Sequence, residues 1–137
     1  MYKRQSLLFS YLAYYSDTLC NGLRVTSPET RLKQAVSAYI EERYTNATLA
    51  ELSSKLGYSE EYLSRRIALL FGKTFQKLLI EKRLNVAERL LAETKLSVAE
   101  IIETIGYENQ SHFHRLFKQA FGCTPFRYRQ NKPKAEV

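Results

Sequence analysis

The chain has 137 residues, 45% of them hydrophobic, with a formal net charge of +7 and a pI near 9.5. That length supports one domain of ordinary size or two very small ones, and that apolar share excludes wholesale disorder. The excess positive charge favours polyanionic partners, nucleic acid first and an anionic membrane surface second, without deciding the fold.

Two cysteines, Cys20 and Cys123, are too few for a disulfide scaffold and form no C-x-x-C pair. Reduced thiols in a cytoplasmic protein are the simplest reading. No apolar run approaches the roughly 18 residues of a spanning helix. The Tyr-rich "SLLFSYLAYY" lacks the small-residue cleavage site of a signal peptide. Three prolines and five glycines interrupt the chain. Strand-type alternation is missing and helical periodicity recurs, so the expected class is all-α.

In chain order, residues 6–19 place Leu8, Tyr11, Leu12 and Tyr15 at helical spacing, an amphipathic helix that offers a dimer seam. A linker follows to residue 26. Ser27 is a good N-cap, with Pro28 at the first helical position of a helix to about Tyr44. Leu32, Val36, Tyr39 and Ile40 form its inner face. Thr48 caps "LAELSSKL", which Gly57 ends; Ser59 caps a helix to Phe71, which Gly72 ends. Thr74 opens a longer helix to about Glu93, with Phe75, Leu78, Leu79, Leu84, Ala87 and Leu91 expected inside. Ser97 caps "VAEIIETI", which Gly106 ends. Another helix is expected from about Asn109 to Phe121, ended by Gly122, and Pro125 starts a short last one, "PFRYRQN". Residues 132–137, "KPKAEV", read as a disordered tail.

The segments "TLAELSSKLGY" and "SVAEIIETIGY" align at an offset of 49, pairing Thr48 with Ser97, Glu51 with Glu100 and Leu56 with Ile105. Each begins a short capped helix, a glycine turn and a longer second helix. These are tandem helix-turn-helix units, at 48–71 and 97–121, joined by the helix from Thr74. Solenoids of αα-hairpins need three or more such units to bury a core, and here there are two.

A helix-turn-helix seats its second helix in the major groove of DNA, so one face must pack inward and another must present donors and acceptors. At 100° per residue, Phe113, Leu116, Phe117 and Ala120 share the core arc of the later unit. Gln110, Ser111, His114, Arg115 and Lys118 share the neighbouring arc. Gln suits adenine, Arg suits guanine, and Ser, His and Lys suit bases or phosphates. From Asn109 to Lys134 there are six basic residues (Arg115, Lys118, Arg127, Arg129, Lys132 and Lys134) and no acid, a block suited to neutralising phosphate. In the first unit Leu63, Ile67 and Leu70 form the core arc, with Glu60, Glu61, Ser64, Arg65 and Ala68 facing outward. Its glutamates oppose phosphate, so the later unit is expected to supply more of the non-specific affinity.

The runs "YLSRR", "RLNVAERLL", "VAEIIETIGYENQSHFHRLFKQAFGCTPFRYR" and especially "GCTPFRYR" resemble the AraC/XylS family of bacterial transcription regulators, over about Pro28 to Asn131. The resemblance implies two homeodomain-like three-helical units across residues 27–131, set at the ends of a rigid linker helix and entering adjacent major grooves. It implies base contacts at Glu61, Ser64, Arg65, Gln110, Ser111, His114 and Arg115. Phosphate contacts are implied at Ser59, Ser97, Asn109, Lys118, Arg127 and Lys132, and Arg129 is either structural or phosphate-facing. Arg66 and Ala68 depart from the family pattern, which often has Leu and a basic residue there; Arg66 is expected to snorkel outward. The implied function is a cytoplasmic, nucleoid-associated regulator, more often an activator than a repressor. Its partners would be double-stranded DNA and RNA polymerase. A small-molecule effector would act only through a separate sensor domain, of which residues 1–26 are one candidate remnant, a stand-alone regulator being the alternative.

No Gly-rich phosphate loop or nucleophile motif points to an enzyme or a cofactor. His112 and His114 lie two positions apart on a helix, about 200° around it, which sets them against a shared metal. The rival reading is a protein-interaction module whose basic charge is incidental.

Overall fold

The computed structural model describes residues 27–131, so the helix expected at 6–19, the linker before Ser27 and the tail from Lys132 lie outside the described residues. Within 27–131 there are seven helices and no strand: α1 (Pro28–Arg43), α2 (Leu49–Leu56), α3 (Glu60–Phe71), α4 (Phe75–Glu93), α5 (Val98–Thr104), α6 (Gln110–Phe121) and α7 (Pro125–Asn131). Each helix expected within these residues is present, with bounds shifted by a residue or two.

Caps explain those bounds. Thr48, Ser59, Thr74 and Ser97 each accept a hydrogen bond from the amide three residues on, and Asn109 Oδ1 accepts from His112 N–H at 3.0 Å. Each such cap satisfies an otherwise orphaned helix donor and is worth about 1 kcal/mol. With seven residues, α5 is far below the roughly 12–15 at which isolated helices become even marginal. Burial of Ile101 and Ile102 holds it in place.

Two apolar cores sit side by side. Leu32, Val36, Ile40, Leu52, Leu63 and Ile67 build the first around α1–α3, with Phe75 and Leu79 from the start of α4. Leu84, Ala87 and Leu91 from the rest of α4 join Ile101, Ile102, Ile105, Phe113 and Phe117 in the second. The linker helix thus belongs to both units and completes a three-helix group with α5 and α6. At 1.5 Å per residue its 19 residues span about 28 Å. On its second half Glu88 is buried, and Tyr128 of α7 donates its hydroxyl to that carboxylate at 2.7 Å.

The units also meet away from the linker's axis. Tyr44, just after α1, packs against both cores. Gly106, which ends the α5 turn at φ 87°, lies so close to Thr45 that a Cβ there would overlap the Thr45 carbonyl oxygen. Here glycine is required both for its left-handed backbone and for space.

One expectation about α6 needs correction. Phe113 and Phe117 are fully buried, but Leu116 is only half-buried and Ala120 is exposed. Ala120 faces a shallow groove beside α4, bordered by Lys77, Ile80 and Glu81, which no helix among the described residues covers. The apolar seam of α6 is therefore narrower than its sequence periodicity implies.

Candidate nucleic-acid interface

The helix that follows the turn in each unit, α3 and then α6, presents one polar face to solvent. On α6, Gln110, Ser111, His114, Arg115 and Lys118 are all exposed, while Phe113 and Phe117 turn inward. The inward rings stack into the second core: Phe117 lies 5.8 Å from Phe113, 4.5 Å from Phe121 and 5.6 Å from Tyr128. That aromatic packing fixes the rotation of α6 about its axis, and so which side chains face out. The same arc on α3 exposes Glu60, Glu61, Ser64, Arg65 and Ala68 around buried Leu63 and Ile67.

The two faces differ electrostatically. Among the described residues no carboxylate pairs with Arg115 or Lys118, and α6 has no acid in its first turn. On α3, Glu60 and Glu61 occupy the first turn, and Glu61 lies 3.9 Å from Arg65. Both partners of that contact are largely exposed, so water and salt screen it strongly. Arg66 reaches back across the unit to Glu29 of α1 at 3.0 Å, which raises its pKa, chiefly through that hydrogen bond. The expected snorkelling therefore ends in an ion pair that ties α3 to α1.

The helix N-termini are also unequal. At Ser97 the cap is a full capping box, in which Glu100 accepts from the Ser97 N–H at 3.3 Å. Its carboxylate already complements the positive end of α5 and repels a phosphate there. Ser59 has two glutamates beside it. Neither the first turn after Asn109 nor that after Thr74, at the start of α4, carries an acid, although Glu108 directly precedes Asn109. Thr74 and Gln76 border a shallow cleft with Thr48, Leu49 and exposed Ser64, a neighbourhood that the sequence reading did not single out.

Arg127 on α7 is exposed. Arg129, for which two roles stood open, is half-buried: its Nε donates to the Leu91 carbonyl at 3.1 Å and its Nη2 to the Thr94 carbonyl at 3.3 Å. The guanidinium thus satisfies carbonyls at the C-terminal end of α4. Lys132 lies outside the described residues.

Sequence reasoning also missed Arg83. It stands in the middle of α4, its Nε donating to the Tyr44 carbonyl at 2.7 Å and its Nη2 to the Thr45 carbonyl at 3.3 Å. Its guanidinium lies over the Tyr107 ring, 5.3 Å from the centroid. Burial lowers the Arg83 pKa and raises that of Tyr107. An arginine midway along the linker helix was the available signal, but its partners lie in loops of both units.

Comparison with known proteins fits this geometry. The helix-turn-helix domain family matches residues 52–131. The chain belongs to the AraC-type family of helix-turn-helix transcriptional regulators. YisR of Bacillus subtilis, an uncharacterised helix-turn-helix regulator, is 30% identical over 128 residues, covering 93% of this chain and 44% of its own length. The transcriptional activator NphR of Rhodococcus is 33% identical over 116 residues, covering 82% of this chain and 33% of its own length. The chain thus spans less than half the length of these relatives. The DNA-binding domain of AdpA, solved in complex with a target DNA, superposes with a TM-score of 0.65 at 25% identity, over 72% of this chain and 89% of that one.

Proposed function

We propose that residues 27–131 are the DNA-binding module of a sequence-specific transcription regulator, which seats α3 and α6 in adjacent major grooves and activates transcription. The observation that carries this reading is the exposed polar arc of α6, whose Arg115 and Lys118 pair with no carboxylate among the described residues. In this reading Gln110, Ser111, His114 and Arg115 face base edges, with Glu61, Ser64 and Arg65 doing so in the first unit. Lys118, Arg127 and the amide ends at Asn109 and Thr74 take phosphates; Ser97 and Ser59, with carboxylates in the helical turn that follows each, contribute less. The AdpA domain, solved in complex with a target DNA, supports DNA binding by likeness, and the activator NphR supports the direction of regulation.

The test is a titration of the chain with non-specific duplex at several salt concentrations. Neutralising about four phosphates gives a log–log slope near −3.6, about a hundredfold loss of affinity between 50 and 200 mM salt. Absence of binding at low salt would sink the reading. Activation is tested separately, with a selected site placed upstream of a reporter promoter; a fall in expression would reverse the sign.

A further inference from the structure

A single helix joining two recognition units leaves them free to twist and bend relative to each other, because nothing off its axis resists the motion. In this molecule something does. Arg83 holds the Tyr44 and Thr45 carbonyls of the first unit, and its guanidinium is covered by Tyr107 of the second. Beside it, Gly106 and Thr45 are in direct apposition. Lys82 adds an ion pair to Glu41 of α1 at 2.6 Å and lies over the Tyr44 ring.

Both ends of this contact lead into the reading machinery. The Tyr44–Thr45 turn runs into Thr48, whose N–H donates to the Tyr39 hydroxyl at 3.0 Å and which caps α2. On the other side, the Tyr107 ring lies 5.8 Å from His112 and 5.7 Å from Phe113, in the first turn of α6. A path from the first unit's turn to the base-facing helix of the second therefore passes through this guanidinium.

We propose that Arg83, clamped between the Tyr44–Thr45 turn and Tyr107, is a positioning residue that fixes the angle between α3 and α6 and thereby the spacing of DNA half-sites the protein accepts. It touches no base in this scheme. It acts through rigidity: one inserted base pair rotates one half-site against the other by about 35° and shifts it by about 3.4 Å, which a locked module cannot follow. A lysine cannot replace it, because a single ammonium does not present the two-pronged donor fork that spans both carbonyls.

The consequence rests on the DNA-binding reading, but the clamp can be tested without DNA. In the full chain with Cys20→Ser and Cys123→Ser, spin labels at Glu42→Cys and Glu103→Cys report the distance between the units. The distribution should be narrow in the parent and clearly broader in Arg83→Lys and in Tyr107→Leu. It should be unchanged in Arg89→Lys, an exposed α4 control. The second arm uses a duplex selected by the parent from a random pool, together with versions carrying one base pair more or less between the half-sites. The parent should lose about tenfold or more in affinity on the altered spacings, the scale of a mismatched site, and Arg83→Lys should bring that ratio within about threefold. An unchanged distance distribution in both variants overturns the clamp. A broadened distribution with unchanged spacing selectivity overturns its role in specificity. If the parent binds no duplex, the DNA-binding reading fails while the distance arm still decides the clamp. Circular dichroism identifies a variant that has unfolded, and Tyr107→Leu and Arg83→Lys then stand in for each other.

Discussion

Tyr128→Phe isolates one hydroxyl. Tyr128 sends it to Glu88, a carboxylate only 7% exposed on α4, while its ring packs edge-on against Phe117 at 5.6 Å. Phenylalanine keeps the ring contacts and removes the donor, stranding the buried carboxylate oxygen. A hydrogen bond to a charged group contributes about 1.5–3 kcal/mol net, so Tyr128→Phe should destabilise the protein by that amount. For a module of this size, that lowers the melting temperature by about 6–24 °C. Glu88→Met alone should also destabilise, by removing the carboxylate end of that hydrogen bond. Combined, the two changes replace a polar pair with apolar groups, so the double variant should be more stable than Tyr128→Phe alone. Urea unfolding followed by circular dichroism and tyrosine fluorescence gives all four corners of the cycle. A Tyr128→Phe change within about 0.5 kcal/mol, or a double variant whose loss equals the sum of the singles, refutes the reasoning.

Three further outcomes are expected. Arg115→Ala should cost about 1–3 kcal/mol on a selected duplex and relax preference at one base pair; equal loss on every sequence would make Arg115 a phosphate contact. Gly72→Ala meets no atom within 4 Å and should cost only the strain of a left-handed backbone, about 1–2 kcal/mol. Gly106→Ala adds the overlap with Thr45, so equal unfolding free energies for the two variants would contradict the close approach. Glu51, held below its usual pKa of 4.5 by the Tyr39 hydroxyl first and by Arg43 and Lys55 after it, favours the folded state above that value. This contribution is lost as pH falls through 4.5 to the lower folded value. Thermal melts at pH 7 and pH 3 should therefore differ less in Glu51→Gln than in the parent, and an identical difference would remove Glu51 from the acid response.

The helices were legible because their signals are local. Ser27, Thr48, Ser59 and Ser97 cap the helices expected of them, since a cap needs only the amide three residues ahead. The inward faces of α1 and α3 follow from spacing alone, and so does the outward set from Gln110 to Lys118, because a rigid 3.6-residue period fixes which residues share a side. The duplicated pattern at an offset of 49 was enough to define two units.

Tertiary structure alone decided what those faces meet. Arg66 with Glu29, Arg129 with Leu91, Arg83 with Tyr44, Tyr128 with Glu88 and Lys82 with Glu41 join residues 37 to 41 positions apart. Periodicity along one helix carries no information about which atom of another helix will sit opposite. Ala120 shows the same limit: it lies on the apolar arc of α6, but no neighbour among the described residues buries it. The sequence by itself determined that the chain carries two helix-turn-helix units with unequal polar faces. Only the packing of both units against α4 determined how they are fastened together, because the angle between two helices is set by contacts across the gap and not by the residues of either one.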